Sequence, residues 1–336
     1  MADRLEQSTG AATQPFVRPD VRQFLDYLNN LPGPKTHELE PPAARAVFKA
    51  MKDVADPPLG ELALTRDFTF PGPAGCIPAR LFDARETREP GPAVVFFHGG
   101  GFVIGDVDTH ASFCAEMARA LGLPVISIDY RLAPEHRWPA APDDCEAAAR
   151  WVAAGGAELG RKVTSLVLSG DSAGGTLTIV TAMALRDRPA AVPVIVQAPI
   201  YPAADMAGDH PSFTDFAEGY LLTRDAMTWF ADAYAADLQH MRGNPMAGSL
   251  KDLPPAVVIT ASLDPLRDQG RAYAAALVRE GVPVTYREAV GNIHGFVTLR
   301  KAIPSSAGDV AGYLSALKAA IAEAEGERVM AQAAAG

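Results

Sequence analysis

Apolar residues recur at helical spacing through the first sixty positions and then collect into short unbroken runs, each followed by a longer amphipathic stretch. In residues 20–31, Val21, Phe24, Leu25 and Leu28 share one face, which predicts a helix stopped by Pro32, Gly33 and Pro34. Pro41 and Pro42 suit a helix start, and Val47, Met51 and Val54 form the apolar stripe expected of a second helix. From about residue 62, the runs at 94–97, 123–129, 165–169, 192–198, 255–261 and 282–288 predict strands. Runs that are apolar at consecutive positions suit strands covered on both faces, and strands alternating with helices make a mostly parallel sheet. The expected fold class is α/β, a mostly parallel central sheet with helices on both faces and a helical cap.

The alternation breaks after Pro202. Residues 203–220 are irregular and polar, and residues 224–235 then predict a helix carrying Met227, Trp229, Phe230 and Tyr234. A long insertion after a core strand is functional or disordered, and these aromatics argue for order. Residues 1–58 and 204–245 are therefore expected to form a cap, 59–203 and 246–325 the two parts of the core, and 326–336 a fraying tail.

Composition narrows the function. The 336 residues are 48% apolar, enough for a large core, and carry a net charge of −10 with no basic cluster interleaved with aromatics. Nucleic acid and anionic membrane surfaces are thereby disfavoured as partners. The polar stretch up to Pro15 lacks the apolar segment of an export signal, and no run is long enough to span a bilayer, so a cytoplasmic location is expected. Cys76, Cys114 and Cys145 show neither zinc-ligand spacing nor an even disulfide framework, and no metal or organic cofactor is expected.

The chemistry concentrates in two glycine-rich turns. Gly170-Asp171-Ser172-Ala173-Gly174 joins the strand ending near Ser169 to a helix over 175–186, the strand-turn-helix setting of a nucleophilic serine. His98-Gly99-Gly100-Gly101-Phe102 follows another strand and is poor in side chains, so its backbone N–H groups are free to face an oxyanion. A serine hydroxyl needs a general base and a carboxylate to orient it, and on this scaffold both follow the serine in the order acid, then histidine. Of His210, His240 and His294, only His294 lies in a glycine-flanked loop after a predicted strand, and the other two read as surface residues. Asp264 falls just past the strand at 255–261, whereas Asp268 opens the next helix and suits a cap or the helix dipole.

Taken with Tyr130-Arg131-Leu132-Ala133-Pro134-Glu135, Asp264-Pro265-Leu266-Arg267-Asp268 and His294-Gly295-Phe296, these motifs resemble the hormone-sensitive lipase family of esterases in its bacterial branch. The likeness runs from about residue 20 to 325, and the elbow is that of the Gly-Asp-Ser-Ala-Gly subgroup. It implies the α/β-hydrolase fold and a carboxylesterase acting on short- to medium-chain esters through Ser172, Asp264 and His294. It also implies an oxyanion hole built from the Gly100, Gly101 and Ala173 N–H groups, with His98 holding the glycine loop. Hydrolysis of an amide, thioester, lactone or carbamate, or a non-catalytic receptor on the same fold, are the alternatives. The expected partner is a small-molecule ester, with a second copy of the chain as the one macromolecular partner allowed for. Asn292 and the run His136-Arg137-Trp138-Pro139 depart from the family pattern and bear on acyl or alcohol specificity.

Overall fold

The computed structural model describes residues 14–335. Two helices, α1 (Pro19–Asn29) and α2 (Pro41–Ala55), precede a hairpin of β1 (Leu64–Gly72) and β2 (Gly75–Asp83). The alternating part follows: β3 (Gly91–Phe97), α3 (Ala111–Leu121), β4 (Val125–Ile128), α4 (Ala140–Ala153), β5 (Val163–Asp171), α5 (Ala173–Asp187) and β6 (Val194–Ile200). Then come α6 (Ser212–Asp215), α7 (Arg224–Tyr234), β7 (Ala256–Leu263), α8 (Arg267–Arg279), β8 (Val284–Ile293) and α9 (Ser306–Ala335). The strands form one sheet in the order β1-β2-β4-β3-β5-β6-β7-β8. β2 pairs antiparallel with both neighbours and every other pairing is parallel, so β2 alone runs against the rest.

The consecutive apolar positions of the central strands serve two cores. Val95, Phe97, Ile126, Ile128, Leu166 and Leu168 pack with α4, α5 and α8, while their neighbours Val94, Phe96, Val125 and Val167 pack with α3 and α9. Period-two alternation with both faces covered is what an unbroken apolar run produces in a parallel sheet. A third cluster joins Val21, Phe24 and Leu25 of α1 to Phe216, to Leu263 and Ile293 at the ends of β7 and β8, and to Leu299 and Ile303. Burying three such side chains contributes roughly 1.5 to 3 kcal/mol each, which seats α1 at the C-terminal edge of the sheet.

Three expectations are corrected. The inward face of α2 is Ala44, Phe48, Met51 and Ala55, whereas Val47 and Val54 are 51% and 68% exposed. The helix is rolled because Arg45 must reach Val103 O (2.8 Å), Ala133 O (2.9 Å) and the Glu135 carboxylate (2.6 Å). β8 runs on to Ile293, so the stretch before His294 is strand and not loop; a register shift near Ala261 lets Leu263 pair with Ile293. Residues 326–335, expected as a fraying tail, continue α9 as helix.

Candidate active site

β5 carries the chain into a sharp turn at Ser172, whose backbone sits at φ 55° and ψ −117°. That strained conformation is held by a hydrogen bond from Ser172 N to Ile200 O (2.9 Å) and by Thr176 N donating to Ser172 O (3.1 Å) as α5 begins. A Cβ at position 174 would lie 1.9 Å from Phe97 O, and one at position 170 would lie 2.4 Å from Gly174 O. Any larger residue would push the turn off the end of β3, which explains the two glycines around the serine.

β7 and β8 deliver the partners. His294 Nε2 lies 2.8 Å from Ser172 Oγ, and His294 Nδ1 lies 2.7 Å from Asp264 Oδ2. Asp264 is fully buried, and its other oxygen accepts the Leu266 N–H at 2.8 Å. A carboxylate can only accept, so Nδ1 carries the imidazole proton and the Nε2 lone pair faces the serine hydroxyl. Asp268, four residues on, does not reach this line. It accepts from Ser212 N (3.0 Å) and pairs with Arg267 (2.7 Å) and Arg271 (3.2 Å). Burial opposes its ionisation, but the Arg267 guanidinium and these other partners hold the carboxyl below its ordinary range.

The glycine loop lies against the same turn. His98 is fully buried, stacked on Tyr130 with ring centroids 4.3 Å apart, and its Nδ1 donates to Gly99 O at 2.8 Å. Gly99 N donates to Asp171 Oδ1 at 2.8 Å, which ties the loop to the residue before the serine. Gly101 has φ 59°, and a Cβ there would lie 2.3 Å from the Phe230 ring, so α7 rests directly on this position. Phe102 stacks on Tyr234 of α7 at 3.8 Å. Among the described residues, no hydrogen bond engages the N–H of Gly100 or Gly101.

The remaining histidines lie elsewhere. His240 is exposed, but His210 is mostly covered and pairs with Asp205 at 3.0 Å, because the insertion folds back on itself there. Asn292 is buried and donates to Ser306 Oγ (3.0 Å) and Asp309 (2.9 Å), so this departure fastens β8 to the start of α9. In the other departure the backbone Trp138 N donates to Tyr234 O (3.0 Å), and the Trp138 ring itself meets His240 edge-on with centroids 5.5 Å apart. Sequence reasoning missed Tyr201, whose ring lies 4.6 Å from that of His294; an aromatic residue directly after a strand was the available signal. The three cysteines are free, and no group of metal-ligating side chains occurs among the described residues. No described helix is long and apolar enough to cross a membrane.

A family model for the alpha/beta hydrolase fold matches residues 94–298. The chain belongs to the α/β-hydrolase family. Within it the relatives are esterases of the hormone-sensitive-lipase-like branch. The chain is 37% identical to Esterase LipI of Mycobacterium tuberculosis over 78% of its own length and 83% of that protein. It is 35% identical to an ethyl acetate hydrolase of Pseudomonas putida, over 78% of this chain and 85% of the relative. The solved structure of LAE6, an alpha/beta hydrolase enzyme from the metagenome of Lake Arreo, superposes with a TM-score of 0.86 at 36% identity. That match covers 90% of this chain and 98% of LAE6. This α/β-hydrolase is a carboxylic ester hydrolase.

Proposed function

We propose that Ser172 is the nucleophile, His294 the general base and acid, and Asp264 the orienting carboxylate of an acyl-enzyme mechanism. The carrying observation is the unbroken line from Ser172 Oγ through the imidazole to a buried carboxylate, with steps of 2.8 and 2.7 Å. Ser172 Oγ bonds to the ester carbonyl carbon while its proton passes to His294 Nε2, and the carbonyl electron pair becomes an oxyanion. The N–H groups of Gly100, Gly101 and Ala173 receive that oxyanion, each worth about 3 to 4 kcal/mol in the transition state. Collapse breaks the bond to the alcohol oxygen, which leaves with the proton from Nε2. Water then repeats the sequence on the acyl-enzyme and releases the acid.

The acyl groups taken are short to medium, about 2 to 8 carbons. Supporting this is the packing of α7 on the glycine loop, where Phe230 and Tyr234 leave little room beside Gly101 and Phe102. Residues 14–58 and 204–245 act as the cap over the site. A panel of chromogenic esters of rising acyl length tests the reading, with an organophosphonate as active-site label. Stoichiometric labelling of Ser172 and a rate that declines beyond about eight carbons are expected; labelling of another serine, or rapid hydrolysis of emulsified long-chain triglyceride, would refute it.

A further inference from the structure

Asp171 and His110 have no part in the proton transfers above, yet both are buried, with Asp171 beside the nucleophile. Asp171 Oδ1 accepts from Gly99 N (2.8 Å) and lies 3.2 Å from His110 Nε2, while Oδ2 accepts from the Tyr201 hydroxyl at 3.3 Å. On its other side, His110 Nδ1 lies 2.9 Å from Thr109 Oγ1. The threonine hydroxyl donates its single proton to Asp106 O (2.8 Å) and accepts from Asp106 N (3.0 Å). It can only accept from the ring, so Nδ1 carries a proton. Nε2 faces a carboxylate oxygen, also an acceptor, and carries one too. Hydrogen-bond accounting therefore makes His110 a buried imidazolium.

Electrostatics agree. Burial works against the charge on His110, but the charge and hydrogen bond of Asp171, together with the charges of Asp56 and Asp106, outweigh it and the imidazole pKa is raised. Burial likewise opposes ionisation of Asp171, and the charge and hydrogen bond of His110, with smaller help from His98 and His294, hold its pKa down. The other charged or titratable groups facing His110 are Asp56 at the end of α2, Asp106 in the loop before α3, and His98. The rings of Phe48 and Phe96 pack against it at 6.3 and 6.1 Å. His98 is the neutral member, pushed down to about 4 by burial and by the nearby charge.

We infer that Asp171 and His110 form a buried carboxylate–imidazolium clamp that positions the glycine loop through the Gly99 N–H, so that both are positioning residues for ester hydrolysis. The inference rests on reading Gly100 and Gly101 as oxyanion donors. A loop of consecutive glycines has no side chains to fix it, and its donors act only within about 0.2 Å of their working distance. Anchoring the amide next to Gly100 supplies the missing restraint.

The test uses the full chain labelled with ¹⁵N-histidine, its ring signals assigned through the backbone. His110 should show both ring nitrogens protonated from pH 6 to 8; a singly protonated ring would overturn the clamp without any variant being needed. In Asp171→Asn and His110→Gln, kcat should fall about 10- to 100-fold with KM within about 3-fold, and exchange of the Gly99 amide should accelerate. Unchanged Gly99 exchange in both variants would also overturn it. Faster exchange with unchanged kcat would support the clamp and count instead against the oxyanion reading.

Discussion

Asp264, Asp171, His98 and His110 are each less than 5% exposed, and each has named polar partners. In the helices proposed as the cap, by contrast, α2 buries only Ala44 and Ala55, and α7 only Ala226 and Tyr234. The first region is held by short hydrogen bonds in a low-dielectric interior, where a missing partner costs several kcal/mol. The second is held by ring packing and by partly exposed ion pairs such as Lys49 with Asp106 and Asp108, each worth at most about 1 kcal/mol. Geometry at the sheet edge is over-determined, while the cap is set by weaker contacts that a few substitutions can redraw. Under the proposed mechanism, reaction type belongs to the first region and substrate choice to the second.

The comparison breaks most readily at the serine. Ser172→Ala should lower kcat at least about 10⁴-fold with an unchanged melting temperature, since the half-buried hydroxyl packs little; comparable residual turnover in purified variant would remove Ser172 from the mechanism. Asp264→Asn should cost about 10³- to 10⁴-fold in kcat, whereas Asp268→Asn should cost less than about tenfold and about 1 to 3 kcal/mol of stability. Kinetics and urea melts of the pair decide between the two acids, and the reverse ranking would move the orienting role to Asp268.

Stability should also depend on pH through His98. Its folded pKa, lowered to about 4, lies below the ordinary value of 6.5, so the unfolded chain binds the extra proton first. Stability should therefore fall as pH drops from about 6.5 toward 4, by on the order of 3 kcal/mol, and His98→Gln should flatten that slope in urea titrations. An identical slope in the variant would assign the acid sensitivity to other groups.

In the cap, Phe230→Ala should shift the preferred acyl length upward by about two or more carbons while changing kcat on the best substrate less than about tenfold. An unaltered chain-length profile would mean that α7 does not bound the acyl site. The smallest effect is expected at Val54→Ser, within about 0.5 kcal/mol, because the side chain faces solvent. A loss above about 1.5 kcal/mol would restore the apolar stripe first expected for α2.

The central strands were readable because each is a local run whose apolar residues pack on both faces of the sheet. The elbow and glycine loop were readable for a similar reason, since tight backbone approach demands glycine at fixed spacing. The inward face of α2 was not, because a valine stripe and an alanine-phenylalanine stripe compete on one helix and the Arg45 contacts choose between them. The end of β8 was hidden too: Val290, Gly291 and Asn292 read as a loop, but the pairing of Ile293 with Leu263 carries the strand past them.

By itself the sequence determined the α/β class, the turn bearing Ser172, the glycine loop and a short set of candidate partners, because these depend on neighbours within a few residues. The place of Asp264 just past a strand already favoured it over Asp268; only the tertiary structure decided where β8 ends, and that His110, which lies 61 positions before Asp171, pairs with its carboxylate. Those choices depend on where strand ends stop in space, and on buried charges finding the one partner that offsets their loss of water.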